Sequence, residues 1–139
     1  MKKAKKQDGA DRRAEDACVF CALRTSDRVV LRNELAFAIR DVNPVTALHS
    51  LVLPFRHAPT YFDLTADEVA AADDLLRRLR AEIVRQDSAV VGFNIGANVG
   101  LASGQTIFHC HIHLIPRRRG DVEDPLGGVR GVIPARQRY

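Results

Sequence analysis

The sequence predicts an α+β fold, a five-stranded and mainly antiparallel sheet with one long and one short helix. Three observations carry this. Short apolar runs bounded by Pro, Gly and Asn outnumber helical patterns. Only the stretch from Thr65 holds a sustained helical period. Successive runs follow one another in hairpin-like order, which makes neighbouring strands antiparallel.

The elements follow in chain order. Cys18–Leu23 (CVFCAL) is compact and apolar, a short helical turn ending near Thr25. Val29–Asn33 and Leu35–Arg40 read as two strands about a tight Asn33-Glu34 hairpin, and Pro44 closes the second. Ser50–Phe55 is a third strand, with Pro54 placing its end at a sheet edge or rim. Thr65-Ala66-Asp67-Glu68 matches a capping box. Val69, Ala72, Leu76, Leu79 and Ile83 then recur at steps of three and four, one apolar stripe ending near Gln86-Asp87. Ala89–Ile95 is a fourth strand. A loop of Gly and small residues, Gly96–Gly104, feeds the fifth, Thr106–Ile115, which Pro116 stops. The remainder, with turns at Asp124-Pro125 and Gly127-Gly128, drapes over the surface as an extended tail.

Composition sets the limits. Of 139 residues, 46% are hydrophobic and 27% charged, which makes a globular chain. A chain of this length buries roughly two-thirds of its unfolded surface, enough for one core and too little for two catalytic domains. No apolar run approaches the roughly 20 residues of a membrane span, and MKKAKKQDGA has no apolar segment behind it to make a signal peptide. The net charge of +4 is carried wholly by residues 1–13, so a basic arm precedes a neutral body. Residues 1–16 are expected to be disordered and 17–139 to form one domain, with no specific nucleic-acid partner. Three cysteines, one of them inside an apolar strand pattern, make a disulfide framework improbable and point to the cytoplasm.

The chemistry concentrates in residues 107–115, Ile-Phe-His-Cys-His-Ile-His-Leu-Ile. Alternation along a strand puts Phe108, Cys110, Ile112 and Leu114 on one apolar face and His109, His111 and His113 on the other. Imidazoles in this pattern serve either a metal or nucleophilic attack on phosphorus. The preceding loop Asn98–Thr106, with glycines and free backbone amides, makes an anion-binding concavity. Phosphate chemistry needs such a loop and a pure metal site does not.

His109-Cys110-His111-Ile112-His113-Leu114-Ile115 resembles the His-φ-His-φ-His-φ-φ signature of the histidine-triad (HIT) superfamily. Asp41-Val42-Asn43-Pro44 through His49, then Leu51-Val52-Leu53-Pro54 and His57, are similar to the family's first half. Asn98 with Ser103-Gly104-Gln105-Thr106 is similar to its phosphate loop, and Pro116-Arg117 to its exit. The tail, Gly120-Asp121 through Gly127-Gly128-Val129-Arg130 and Ile133-Pro134, resembles members labelled diadenosine-polyphosphate hydrolases. The family's pattern often has glycine before the first-half histidine, where this chain has Leu48.

The resemblance implies a nucleotide hydrolase acting at the α-phosphorus of nucleoside or dinucleoside polyphosphates. In it His111 attacks phosphorus with one nitrogen while a backbone carbonyl holds the proton on the other, and His113 bonds the phosphate or leaving oxygen. Gly104, Gln105 and Thr106 stabilise the phosphoryl oxygens, Asp41 binds ribose, and Asn98 and His49 contact the nucleotide. Phe20, Leu23, Ile39 and Val42 are candidates for the base pocket. A phosphoramidase, a phosphorylase or nucleotidyl transferase, and a non-enzymatic nucleotide-binding module are the alternatives. The resemblance further implies a structural zinc held by Cys18, Cys21, His57 and His109, magnesium brought only with the substrate, and a homodimer joined through the long helix or the tail. Arg117, Arg118 and Arg119 could draw in a polyphosphate, or lie solvated.

Overall fold

A computed structural model describes residues 12–139 of the chain. Most of the basic arm lies outside the described residues, and residues 12–16 are helical. The five strands are β1 (Val29–Arg32), β2 (Ala36–Arg40), β3 (Ser50–Pro54), β4 (Val90–Gly96) and β5 (Ile112–Arg118), in the spatial order β1-β2-β3-β5-β4. Every pairing is antiparallel, as the sequence predicts. The long helix, α1 (Ala66–Gln86), connects β3 to β4 and packs on one face of the sheet. The short helix is a 3-10 turn, Cys21–Leu23.

Local chemistry accounts for these elements. The Asn33 side chain accepts from the amides of Leu35 and Ala36, closing the β1–β2 turn, and its amide donates to the Ala71 carbonyl of α1. The helix starts at the expected capping box: Thr65 Oγ1 accepts from Glu68 N at 3.1 Å, and Glu68 Oε1 accepts from Thr65 N at 2.9 Å. Ala72, Leu79 and Ile83 are buried as the periodicity requires, but Leu75, not Leu76, completes the core stripe. Val69 and Leu76 turn instead toward a groove beside β4. Two cores result. Ala36, Ala38, Val52, Cys110, Ile112 and Leu114 pack under α1. Phe20, Phe37, Ile39, Leu51 and Leu53 form the other face, covered in part by the Cys18–Leu23 segment.

The fifth strand differs from expectation. It begins at Ile112, not Thr106, and runs through Pro116 to Arg118. Pro54 is the reason for the late start. The Phe55 amide bonds the Leu35 carbonyl just ahead of β2, so the neighbouring Pro54 faces β5, where it has no N–H to donate. Its carbonyl is taken by the His109 ring and the Cys110 amide donates to the Ala58 carbonyl at 2.7 Å, so residues 107–109 bend away and 107–111 stay outside the ladder. Pro116 is tolerated because its carbonyl, on the β3 side, accepts the Thr46 hydroxyl beyond the last β3–β5 pair, Ser50 with Leu114. Phe108, expected on the apolar face, is 42% exposed, because the unpaired segment has not yet joined the sheet. From Cys110 onward the alternation holds.

Candidate active site and metal centre

His111 and His113 lie on the sheet face opposite α1. His113 pairs across the ladder with Leu51, whose side chain belongs to the second core. The Nδ1 of His111 is 2.8 Å from the His109 carbonyl. A carbonyl can only accept, so Nδ1 carries the proton and Nε2 keeps a free lone pair, the arrangement a nucleophile needs.

A second set of bonds fixes His113. The Val45 amide donates to His49 Nδ1 at 3.0 Å, so neutral His49 carries its proton on Nε2. That nitrogen is 2.9 Å from His113 Nδ1 and donates to it, which leaves the His113 proton on Nε2, facing the site. Burial lowers the His49 pKa, with Asp41 opposing, and burial together with the charges of His111 and His49 takes His113 down to about 4. Both rings are therefore neutral at neutral pH. Asp41 divides its work. Its Oδ1 accepts from the Asn43 amide and caps the bend, while Oδ2 lies 3.5 Å from His49 Nε2. Asp41, His49 and His113 offer donor atoms close enough for a cation. The proton on His49 Nε2 occupies that point, so the trio is a hydrogen-bond chain and not a metal site.

Two cavities meet at this row. The smaller, about 370 Å³, is lined by all four base-pocket candidates, Phe20, Leu23, Ile39 and Val42, together with Asp41, His111 and His113. The larger, about 750 Å³, lies beyond His113 and includes His49, Asn98, Arg117 and part of the C-terminal tail. Of the expected phosphate-loop residues only Asn98 lines it, and Gly104, Gln105 and Thr106 line neither cavity. Gln105 is 2% exposed, and its amide donates to the Pro59 and Ile107 carbonyls while Oε1 accepts from Gly100. Its side chain staples the loop, contrary to the expected phosphate contact. The Gly104 and Gln105 amides are also spent, on the carbonyls of Leu101 and Gly100. Among the described residues the amide and hydroxyl of Thr106 take no partner, which leaves Thr106 as the open donor of the three. Gly104, at φ +89°, turns the loop beneath the Asn98 amide. The arginine run is mostly neutralised: Arg117 is paired with Asp121 and Arg118 with Asp87.

Behind this row the four predicted metal ligands converge. Cys21 Sγ is 3.2 Å from His57 Nδ1 and 3.4 Å from His109 Nδ1, and Cys18 Sγ is 3.6 Å from His109 Nδ1. Sulfur and nitrogen ligands at the edges of a tetrahedral zinc stand about 3.5 Å apart, so the donor set fits. His109, fully buried, donates Nε2–H to the Pro54 carbonyl at 2.9 Å, which frees Nδ1 to ligate. Burial also brings its pKa to about 4, so the ring is neutral, as a ligand must be. Without an ion, burial and Cys18 hold the Cys21 thiol up at about 11 despite the Arg24 guanidinium at 2.6 Å.

A family model described as the HIT domain matches residues 23–120, more than half of the chain. The chain belongs to the HIT family. HIT relatives include the adenylylsulfatase HINT3 of Arabidopsis thaliana, 34% identical over 77% of this chain and 55% of that protein. An asymmetrical bis(5'-nucleosyl)-tetraphosphatase of Schizosaccharomyces pombe is 32% identical over 76% of the chain and 57% of its own length. The chain thus spans little more than half of each of these two relatives. A zinc-bound HIT structure from Mycobacterium smegmatis superposes with a TM-score of 0.69 at 34% identity, covering 79% of this chain and 81% of that one. The sequence reading missed the groups that order the HIT histidines, the Val45 amide and the Pro54 carbonyl. Backbone groups leave no sequence signal, although a proline facing β5 could have hinted at the second. It also missed Arg24, which a cation three residues beyond a C-x2-C pair could have flagged.

Proposed function

We propose that this HIT protein is a nucleotide hydrolase that cleaves at the α-phosphorus through a covalent nucleotidyl intermediate on His111. The observation that carries the reading is the opposed proton placement: a bare Nε2 on His111 beside a protonated Nε2 on His113. His111 attacks, His113 bonds the leaving atom, and Thr106 donates to a phosphoryl oxygen whose charge grows in the transition state. The ribose contacts Asp41 and the base enters the smaller cavity. Asn98 and Gly104 shape the far side of the phosphate path. Water then frees the monophosphate.

The leaving group is a polyphosphate chain, brought with its own magnesium, in the reading drawn from the family. One observation favours an uncharged leaving group such as an amine: Arg117, the cation on the larger cavity, is already paired with Asp121. A phosphorylase or transferase would use the same intermediate with another acceptor. Zinc at Cys18, Cys21, His57 and His109 supplies a structural cross-link only. The exposed β4 strand and the apolar groove against Val69 and Leu76 support a homodimer through that edge. No helix among the described residues is long and apolar enough to cross a membrane, and a cytoplasmic location fits the reduced cysteines.

The test is hydrolysis of a nucleotide panel in 18O-water, with acid-quench mass spectrometry of the protein. Label on the monophosphate and a nucleotidyl mass on the wild type, absent in His111→Gln, are expected. Label on the other fragment alone, or unchanged turnover in His111→Gln, overturns the mechanism.

A further inference from the structure

The smaller cavity is walled chiefly by apolar side chains, among them Phe20, Leu23, Ile39 and Leu51. Four titratable residues also border it: Arg28, Asp41, His111 and His113. The last three already have work in the cleavage proposed above. Arg28 has none. No carboxylate among the described residues pairs with it, and its guanidinium makes one hydrogen bond there, from Nη2 to the Arg40 carbonyl at 3.1 Å. Arg117 and Arg118, by contrast, are neutralised by Asp121 and Asp87.

The start of β1 accounts for the placement. Ser26 Oγ donates to the Leu23 carbonyl and accepts from the Arg28 amide, which closes the turn between the short helix and the strand. Val29 then pairs with Ile39 on β2. From one residue ahead of that pair, the Arg28 side chain reaches the end of β2 and finds the Arg40 carbonyl, immediately before Asp41. That bond pins the head of a long side chain. Among the described residues it leaves Nε–H, Nη1 and the second hydrogen of Nη2 without a partner. An apolar slot with a pinned, uncompensated guanidinium on its wall suits a flat ring that carries acceptors along one edge.

We propose that Arg28 makes this protein selective for a nucleotide whose base is a 6-oxopurine, guanine or hypoxanthine, through a forked pair of hydrogen bonds to O6 and N7. The inference rests on the nucleotide reading above and adds the base to it. Guanine presents N7 and O6 side by side as acceptors, which match two parallel N–H donors of a guanidinium. Adenine presents N7 beside the N6 amino group, so Arg28 would set a donor against a donor and leave both without an acceptor. A pyrimidine, being smaller, would cover less of the apolar wall. Arg28 discriminates between bases and takes no part in the transfer to His111.

The probes are GMP, AMP, IMP and 7-deaza-GMP, each titrated by calorimetry on wild type, Arg28→Lys and Arg28→Met. We expect GMP and IMP to bind wild type at least about tenfold more tightly than AMP. The 7-deaza analogue, which lacks the N7 acceptor, should bind about fivefold or more weakly than GMP. In both variants the GMP-to-AMP ratio falls to within about twofold of one, since lysine keeps the charge but not the fork. The 7-deaza comparison needs no substitution, so it decides the matter even where a variant fails to fold. Equal wild-type affinities for GMP and AMP overturn the inference. So does a ratio unchanged in a folded variant, because Arg28 would then attract the phosphate and not read the base. Monophosphate binding needs no turnover, which keeps the two readings apart. Guanine preference without an adduct on His111 counts against the cleavage mechanism alone, and an adduct without guanine preference removes this inference alone.

Discussion

The proton on His113 Nε2 depends on the His49 ring hydrogen-bonded to its other nitrogen. His49 touches no reacting atom in this geometry, yet without its Nε2–H the Nδ1 of His113 would take the proton and the ring would offer a lone pair where a donor is needed. His49→Ala is therefore expected to lower kcat by about a hundredfold or more, with KM changed little and the His111 adduct still detectable in quenched samples. Equal losses in binding and turnover would make His49 a plain contact residue. One position earlier, Leu48 is the only non-glycine among the described residues with positive φ, at 70°. Leu48 thus holds a backbone conformation that glycine adopts without strain. Leu48→Val should destabilise by about 1–2 kcal/mol, more than its lost methylene explains, because a β-branched residue tolerates that conformation poorly. Leu48→Gly should be much milder, since it trades half-buried packing for relief of strain. Urea midpoints of the two variants make the comparison.

Elements formed wherever the sequence carried a local signal. The α1 start was legible because Thr65 and Glu68 satisfy each other, and Glu68 is then buried under Arg56. Glu68→Ala removes the acceptor of the Thr65 amide and the Arg56 ion pair and should cost about 1–2 kcal/mol, and Arg56→Ala, which strands the buried Glu68 carboxylate, should cost at least as much. Thermal unfolding of the pair checks the order. The β5 start was not legible, because it depends on which way Pro54 faces in a strand 58 residues earlier. The Leu75-for-Leu76 shift was likewise hidden, since both leucines fit a broad helical stripe and only the β4 edge decides which one meets the core. In the site, residue types and their order on the chain identified the histidine row and the cysteine pair. Of the three residues expected on the phosphate, Gln105 and the Gly104 amide are spent inside the loop and Thr106 alone stays open, because loop amides choose partners only once the turn at Gly100–Gly104 has closed.

At the scale of the whole molecule, the buried imidazoles make stability depend on acidity. His109 and His113 titrate near pH 4 when folded and near 6.5 when unfolded. Between those values the unfolded chain binds more protons, so stability is full above about pH 6.5 and falls as pH drops toward 4. Denaturant titrations of metal-free protein at pH 7 and pH 5 should show the loss, and His113→Gln should flatten it. Metal adds a second dependence. Zinc at a hundredfold over its Kd is expected to raise stability by about 3 kcal/mol, an increment that a chelator removes and that Cys18→Ser lacks; identical melting with and without chelator would count against the site. The two chemistries are joined at one seam. Because Pro54 offers β5 no N–H, the β3–β5 ladder ends at Val52 with Ile112, and the His109 ring takes the Pro54 carbonyl as a plug from the cysteine side while its own carbonyl orients His111 on the other. Any residue with an amide at position 54 would let the sheet knit shut there, squeezing out the plug and misaligning the attacking ring in a single move.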